Sequence, residues 1–226
     1  VREIVKYGNK ISREELIKAT GIKSGGTLNK RLKELEAAGF VQSFLPYERI
    51  ARDHHYRVSD EFSLFHLKWI EPFLKAKKVE HEHAYWQYMA KTPAVLSWAG
   101  LAYEAICFKH IAQVRKALGL LKVSCKIGSW QYIPKRGSKE DGVQVDLLFD
   151  RQDGAITFCE IKYNEKPFLI DKTYARKLLQ KMDLFEHHFK TTKQLILALI
   201  TTMGLKKSLW SKEIVQKEVT LKDLFS

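Results

Sequence analysis

The residues of this chain that could do chemistry concentrate in two strand-like segments, 143–150 and 156–163. Both segments alternate apolar and polar residues, which is typical of half-buried strands. Glu160 and Lys162 are two positions apart, so they point to the same face of a sheet, roughly 6.6 Å apart along the strand. Asp146 in the first segment would add a second carboxylate to that face if the two strands pair in the right register.

The loop between the two segments decides that register. A two-residue loop at 153–154 would turn Asp146 to the opposite face, away from Glu160. A three-residue loop at 152–154 would place Asp146 directly opposite Glu160, and its last position is left-handed, which suits Gly154. We therefore predict the three-residue loop.

Two carboxylates with β-carbons about 5 Å apart repel each other unless one is protonated or a divalent cation bridges them. Their hard oxygen ligands suit Mg²⁺ or Mn²⁺. Lys162 beside them could position a water molecule and stabilise charge on a phosphate, so the pattern predicts metal-assisted phosphodiester hydrolysis. The alternative is a charged sheet face without a metal.

A helical stretch at 98–121 carries another acidic residue, Glu104. Apolar residues lie nearly all around this stretch, so we expect the helix to be largely buried. A buried carboxylate needs a partner. A backbone donor, a lysine or the same metal ion would each serve for Glu104.

The surrounding elements predict an α/β (α+β) fold, with a mixed sheet flanked by helices. Residues 174–189 have the apolar stripe of an amphipathic helix with a basic side, residues 194–201 a buried strand, and residues 213–219 an edge strand. This part of the chain, 97–226, is expected to form one domain.

The N-terminal residues 1–75 predict a winged helix-turn-helix. A helix from Ser12 to Gly21 is followed by a basic helix ending at Gly39, and then by strand-like runs at 40–44 and 55–58. A further helix at 61–75 is rich in aromatic residues, and residues 76–96 form a predicted linker or connecting helix. Candidate DNA contacts on the outer face of the basic helix are Thr27, Lys30, Arg31 and Lys33.

The composition is typical of a domain with a nucleic-acid partner, and a basic protein that is merely soluble has the same balance. Lys and Arg outnumber Asp and Glu by 39 to 26, and the excess is spread over both halves, as expected of domains that face DNA. No apolar run is long enough to span a bilayer, so no membrane partner is predicted. Three widely separated cysteines argue against a disulfide framework and favour a reducing, cytoplasmic location.

Glu104 on a helix, then Asp146, then Glu160-Ile161-Lys162 resembles the PD-(D/E)-x-K nuclease core of restriction-endonuclease-like folds, over residues 97–226. The resemblance implies that Asp146, Glu160 and Glu104 bind metal and that Lys162 is catalytic. Val145 departs from the motif, which has proline at that position.

The whole chain resembles the C-terminal half of an archaeal-type P-loop ATPase family, in which a winged helix and a nuclease-like domain follow the nucleotide-binding domain. The stretches that carry this resemblance are 56–60, 98–104 and 219–225. It implies an N-terminal P-loop ATPase domain as partner within a longer chain, and we expect Val1, already inside a helix-like pattern, to continue from such a domain. The fragment itself has no P-loop motif.

Three functional hypotheses follow. The first is a metal-dependent DNA nuclease with its own targeting domain. The second is a non-catalytic DNA- or protein-binding regulatory platform in which the acidic cluster is structural. The third, a transcription regulator, accounts for the winged helix but not for the second domain.

Overall fold

The structure is a computed structural model of the 226-residue chain. It describes residues 1–23, 25–45, 54–76, 82–135, 137–138 and 140–226. The described residues form two compact units, the first ending at Lys109 and the second beginning at His110. Each unit has its own sheet.

The first unit is built from short helices and a three-stranded antiparallel sheet with strand order β1-β3-β2. Its elements, in chain order, are α1 (Arg2–Lys6), β1 (Ile11–Ser12), α2 (Arg13–Thr20), α3 (Gly26–Ala37), β2 (Val41–Phe44), β3 (His55–Val58), α4 (Glu61–Phe65), a π-helical segment (His66–Ile70), α5 (Glu71–Lys75), α6 (Glu82–Met89) and α7 (Pro93–Lys109).

Local signals in the sequence set the ends of these elements. The Ser12 side chain accepts a hydrogen bond from the Glu15 amide while the Glu15 side chain accepts one from the Ser12 amide, a capping box that starts α2. Gly21, at φ +66°, ends that helix in the left-handed conformation. The two predicted strands β2 and β3 are confirmed and pair with each other. Strand β1 was not predicted, and residues 46–53 lie outside the described part of the chain.

The helical run over 61–75 is confirmed, and the Asp60 side chain caps it by accepting from the Ser63 amide at 2.7 Å. Its middle turn widens into the π-helical segment just before Pro72. Proline has no amide hydrogen and its ring clashes with the carbonyl four residues earlier, so the widened turn accommodates it.

Helix α7 lies in the first unit and not, as the sequence boundary at 97 implies, with the sheet of the second. The reason is aromatic packing: the ring of Trp98 lies 5.8 Å from that of Phe65 and 6.0 Å from that of Trp69. The predicted connection at 76–96 contains α6 and the start of α7, and its residues 77–81 lie outside the described part.

The helical stretch at 98–121 was expected to be one largely buried helix, and most of its residues are buried or half-buried. It breaks at His110, and the side chains buried along α7 fall mainly on one face, represented by Val95, Tyr103 and Cys107. Leu101 is nevertheless 42% exposed.

The second unit contains a five-stranded mixed sheet with order β10-β8-β6-β5-β4 and a small parallel pair, β7 with β9. Its elements are α8 (Ile111–Ala117), β4 (Cys125–Tyr132), β5 (Val143–Arg151), β6 (Ala155–Lys162), β7 (Phe168–Leu169), α9 (Lys172–Phe189), β8 (Gln194–Thr201), β9 (Leu205–Lys206), α10 (Leu209–Ile214), β10 (Lys217–Thr220) and a 3₁₀ helix (Leu221–Phe225).

This mixed α/β architecture confirms the predicted fold class. Strand β6 is central: it pairs antiparallel with β5 and parallel with β8. Helix α9 covers one face of the sheet through a core that includes Leu178 and Phe185. The predicted edge strand at 213–219 is partly wrong, because residues up to Ile214 belong to α10 and the strand begins at Lys217. The other edge strand, β4, was not predicted.

The turn between β5 and β6 provides a test of this fold. Gly154 has φ +87°, where an L side chain is strained, although a β-carbon there would meet no other atom within 4 Å. Gly154→Ala is therefore expected to lower the free energy of unfolding by about 1 kcal/mol, measured by urea denaturation. Gly100→Ala, inside α7 with equally open surroundings, is the matched control and should stabilise by about 0.5–1 kcal/mol. A neutral Gly154→Ala would contradict the turn geometry.

Candidate functional site

The hairpin of β5 and β6 has the predicted register. Leu147 lies opposite Cys159 and Asp150 opposite Ile156, so the loop is the three-residue stretch 152–154. The continuous pairing ends at Leu147, one step before the predicted Asp146–Glu160 pair, and the negative charge of Glu160 acts on Asp146.

Beyond Leu147 the Asp146 side chain bonds to the neighbouring strand. Its Oδ2 accepts a hydrogen bond from the Ile161 amide at 3.0 Å, and its Oδ1 accepts one from the Gln144 side-chain amide at 3.4 Å. Asp146 is thus held by the backbone of the strand that carries Glu160.

A β-bulge in strand β5 lies at the same position. Gly128 pairs with Leu148 and Trp130 with Val145, so two residues of β5, Asp146 and Leu147, stand opposite a single residue of β4. Bulges re-aim side chains and often lie beside functional sites. Here the bulge changes the alternation of the strand, since Leu148 and Val145 both contribute to the core beneath α9.

Glu160 is 1% exposed, and three donors contact its carboxylate. Its Oε1 lies 2.8 Å from the Lys162 ammonium group and accepts a hydrogen bond from the Tyr174 hydroxyl at 2.8 Å. Its Oε2 accepts from the Lys181 ammonium group at 2.8 Å. Burial alone would raise the pKa of Glu160, but the two lysines outweigh it and the pKa is lowered.

Asp146 has the opposite electrostatic environment. Burial raises its pKa first, and the negative charge of Glu160 raises it further; the hydrogen bond from the Ile161 amide offsets this only in part. The pKa values of these two carboxyl groups are therefore shifted in opposite directions. At functional sites, such a difference lets one group act as an acid and the other as a base.

Tyr174 and Lys181 complete this cluster, and the sequence interpretation missed both roles. They lie seven residues apart on α9, so they share the helix face that covers the sheet. The sequence interpretation assigned Tyr174 to the apolar stripe and Lys181 to the basic side, which would face either solvent or a nucleic-acid backbone. A lysine in line with that stripe was the available signal, because an ammonium group directed at a core needs a buried anion.

Glu104, the proposed fourth member, belongs to the first unit. Within that unit its charge acts on Arg57, whose side chain is 4% exposed and whose guanidinium carbon lies 4.0 Å from the ring centre of Phe44 and 3.7 Å from that of Phe108. Burial lowers the pKa of Arg57 to about 10, and Glu104 opposes this shift. The sequence interpretation required a partner for a buried Glu104, and Arg57 provides a compensating positive charge.

The candidate DNA contacts on α3 are all exposed: Thr27, Lys30, Arg31 and Lys33. The buried residues of the helix, Leu28 and Leu32, lie on its other side. Lys30 approaches Glu34 at 3.9 Å, an exposed pair that contributes little.

The described residues contain no group of three or more histidine, cysteine, aspartate and glutamate side chains that could hold a metal ion. In the same part of the chain, no helix is both long and apolar enough to cross a membrane. Comparison of the chain with protein-family profiles, curated proteins and solved structures finds no match.

The opposed pKa shifts predict opposite effects of two isosteric substitutions. The raised pKa of Asp146 means that its destabilising effect is absent below the ordinary aspartate pKa of about 3.9 and develops as the pH rises towards the folded value. Asp146→Asn should therefore stabilise the protein by about 1 kcal/mol at pH 7. The stabilising effect of Glu160 is present above the ordinary glutamate pKa of about 4.3 and is lost as the pH falls through its lowered folded value.

Glu160→Gln should accordingly destabilise the protein at pH 7 by about 2 kcal/mol, less than for a fully buried pair because both lysine side chains are about one-third exposed. Urea unfolding at pH 7 and pH 4 measures both effects, and both should shrink at the lower pH. A destabilising Asp146→Asn at pH 7 would contradict the raised pKa.

Proposed function

We propose that the second unit hydrolyses phosphodiester bonds of DNA with Mg²⁺ or Mn²⁺ bound by Asp146 and Glu160. The observation that carries this proposal is the β5–β6 hairpin, in which the Asp146 side chain accepts a hydrogen bond from the backbone amide that follows Glu160 and Lys162 pairs with Glu160. The β-bulge at Asp146 and the opposed pKa shifts support the same interpretation.

The donor set fits such an ion. Mg²⁺ is commonly held by one or two carboxylates and completes its octahedral shell with water and substrate phosphate oxygens, so a third acidic ligand is not required. A bound ion would polarise the phosphate and lower the pKa of a water molecule. The Lys162 side chain, 34% exposed, is accessible to a phosphate group approaching from solvent.

The first unit is proposed to bind DNA as a winged helix. Its order of elements, α1-β1-α2-α3-β2-β3 with an antiparallel sheet, supports this, as do the exposed cations of α3. The association with an N-terminal P-loop ATPase domain is proposed from the sequence resemblance alone.

A second candidate is a non-catalytic nucleic-acid- or protein-binding platform, favoured by one specific observation. Glu160 is already paired with Lys162 and Lys181, so the two acids and two lysines of the cluster balance in charge without a metal. A structural role for the cluster requires nothing further.

Manganese binding and DNA cleavage separate the two candidates. Calorimetric titration with Mn²⁺ should give binding to the wild type and none to Asp146→Asn or Glu160→Gln, because each removes a ligand charge. Plasmid cleavage with Mn²⁺ should fall at least about 100-fold in Lys162→Ala, which loses a cation beside the reacting phosphate. Lys166→Ala, an exposed lysine just beyond β6, is the control and should cleave like wild type.

Wild-type protein that shows no heat with Mn²⁺ would overturn the metal-dependent function. Binding of Mn²⁺ without cleavage by any variant would favour the platform.

DNA binding by the first unit has its own test. The double variant Lys30→Ala/Lys33→Ala should weaken binding to duplex DNA and reduce the slope of log affinity against log salt by about 2, since each phosphate contact contributes about 0.9. Lys18→Ala on α2, exposed but on the preceding helix, is the control. An unchanged salt slope in the double variant, measured by fluorescence anisotropy, would exclude α3 as the DNA-contacting helix.

A further inference from the structure

Among the described contacts of the Glu160 carboxylate, Lys181 lies at the oxygen with fewer donors. Oε1 already has two donors, the Lys162 ammonium group and the Tyr174 hydroxyl. Oε2 has the Lys181 ammonium group at 2.8 Å. Because a carboxylate oxygen accepts about two hydrogen bonds, a metal ion binding Glu160 would approach at Oε2, where Lys181 lies.

Simultaneous binding of a metal ion and the Lys181 ammonium group to Oε2 would be electrostatically unfavourable. Metal–oxygen distances are about 2.0–2.1 Å for Mg²⁺, so a doubly charged ion on Oε2 would lie within about 5 Å of the ammonium group. Like charges at that separation, in a largely buried cluster, repel strongly. One of the two cations has to leave.

Lys181 is the cation able to move. Its side chain is 32% exposed, and the flexible four-carbon stem of lysine lets the ammonium group swing without movement of α9. Tyr174 can stay in place and continue to orient Glu160 through Oε1.

We propose that Lys181 occupies the metal position on Glu160 in the metal-free protein, is displaced when the divalent ion binds, and then serves as a second cation for the DNA phosphate. This inference rests on the proposed function and adds a regulatory feature to it. Metal and lysine exchange on one carboxylate, so the cluster is neutral when metal-free and becomes cationic, and attractive to phosphate, when metal is bound.

The test is calorimetric titration with Mn²⁺ of wild type, Lys181→Gln and Lys181→Arg. Lys181→Gln keeps a hydrogen-bond donor but loses the charge, and it should bind Mn²⁺ on the order of tenfold more tightly. Lys181→Arg keeps the charge and should bind like wild type. Lys177→Gln, an exposed lysine one turn earlier on α9, is the matched control and should also bind like wild type.

The same variants should diverge in the opposite direction on DNA. In saturating Mn²⁺, Lys181→Gln should have lower affinity for duplex DNA than Lys177→Gln. A second readout needs no substitution: in wild-type protein with ¹⁵N-labelled lysine, adding Mg²⁺ should shift the ammonium resonance of Lys181 and leave that of Lys177 unchanged.

Two failures are distinguishable. If wild type binds Mn²⁺ and Asp146→Asn does not, but Lys181→Gln binds no more tightly than wild type, displacement is wrong while the metal site stands. If neither wild type nor Lys181→Gln binds Mn²⁺, the proposed function fails and displacement fails with it.

Discussion

The burial of one carboxylate on the central strand constrains the rest of the second unit. Glu160 is 1% exposed, and an ionised carboxylate is strongly destabilising there unless every oxygen has a partner. One of its cations comes from its own strand and two further donors come from α9. The apolar stripe of α9 sets the distance of the helix from the sheet, while Tyr174 and Lys181 fix its rotation and position along the strand.

Asp146 is also buried, but fewer favourable interactions offset the desolvation of its carboxylate. Its oxygens accept from one backbone amide and one side-chain amide, both uncharged, and the charge that acts on it most strongly is that of another acid, Glu160. Its pKa is therefore raised while that of Glu160 is lowered. The asymmetry follows from the direct pairing of Lys162 and Lys181 with Glu160, and the hydrogen bond from the Ile161 amide to Asp146 opposes it.

The sequence predicted the elements of this site better than its electrostatics. Strand periodicity and turn parity placed Asp146 opposite Glu160, because both depend only on neighbours along a hairpin. The bulge depends on β4, which was not recognised. The contribution of α9 depends on how a distant helix packs on the sheet, and helical periodicity identifies its buried face without saying which strand residue lies beneath Lys181. For Glu104 the limitation was the domain boundary, which the packing of Trp98 decides.

The two units compensate buried charge in different ways, and the difference indicates which of them is equipped to exchange partners. In the first, Arg57 lies between two aromatic rings with Glu104 as counter-charge and is 4% exposed. Such a closed arrangement favours a fixed structure. In the second, the buried anion is Glu160, but its cations are lysines with about one-third of each side chain in solvent. Solvent access to the compensating groups lets another cation compete for the carboxylate, and this separates a candidate reaction centre from a purely structural ion pair.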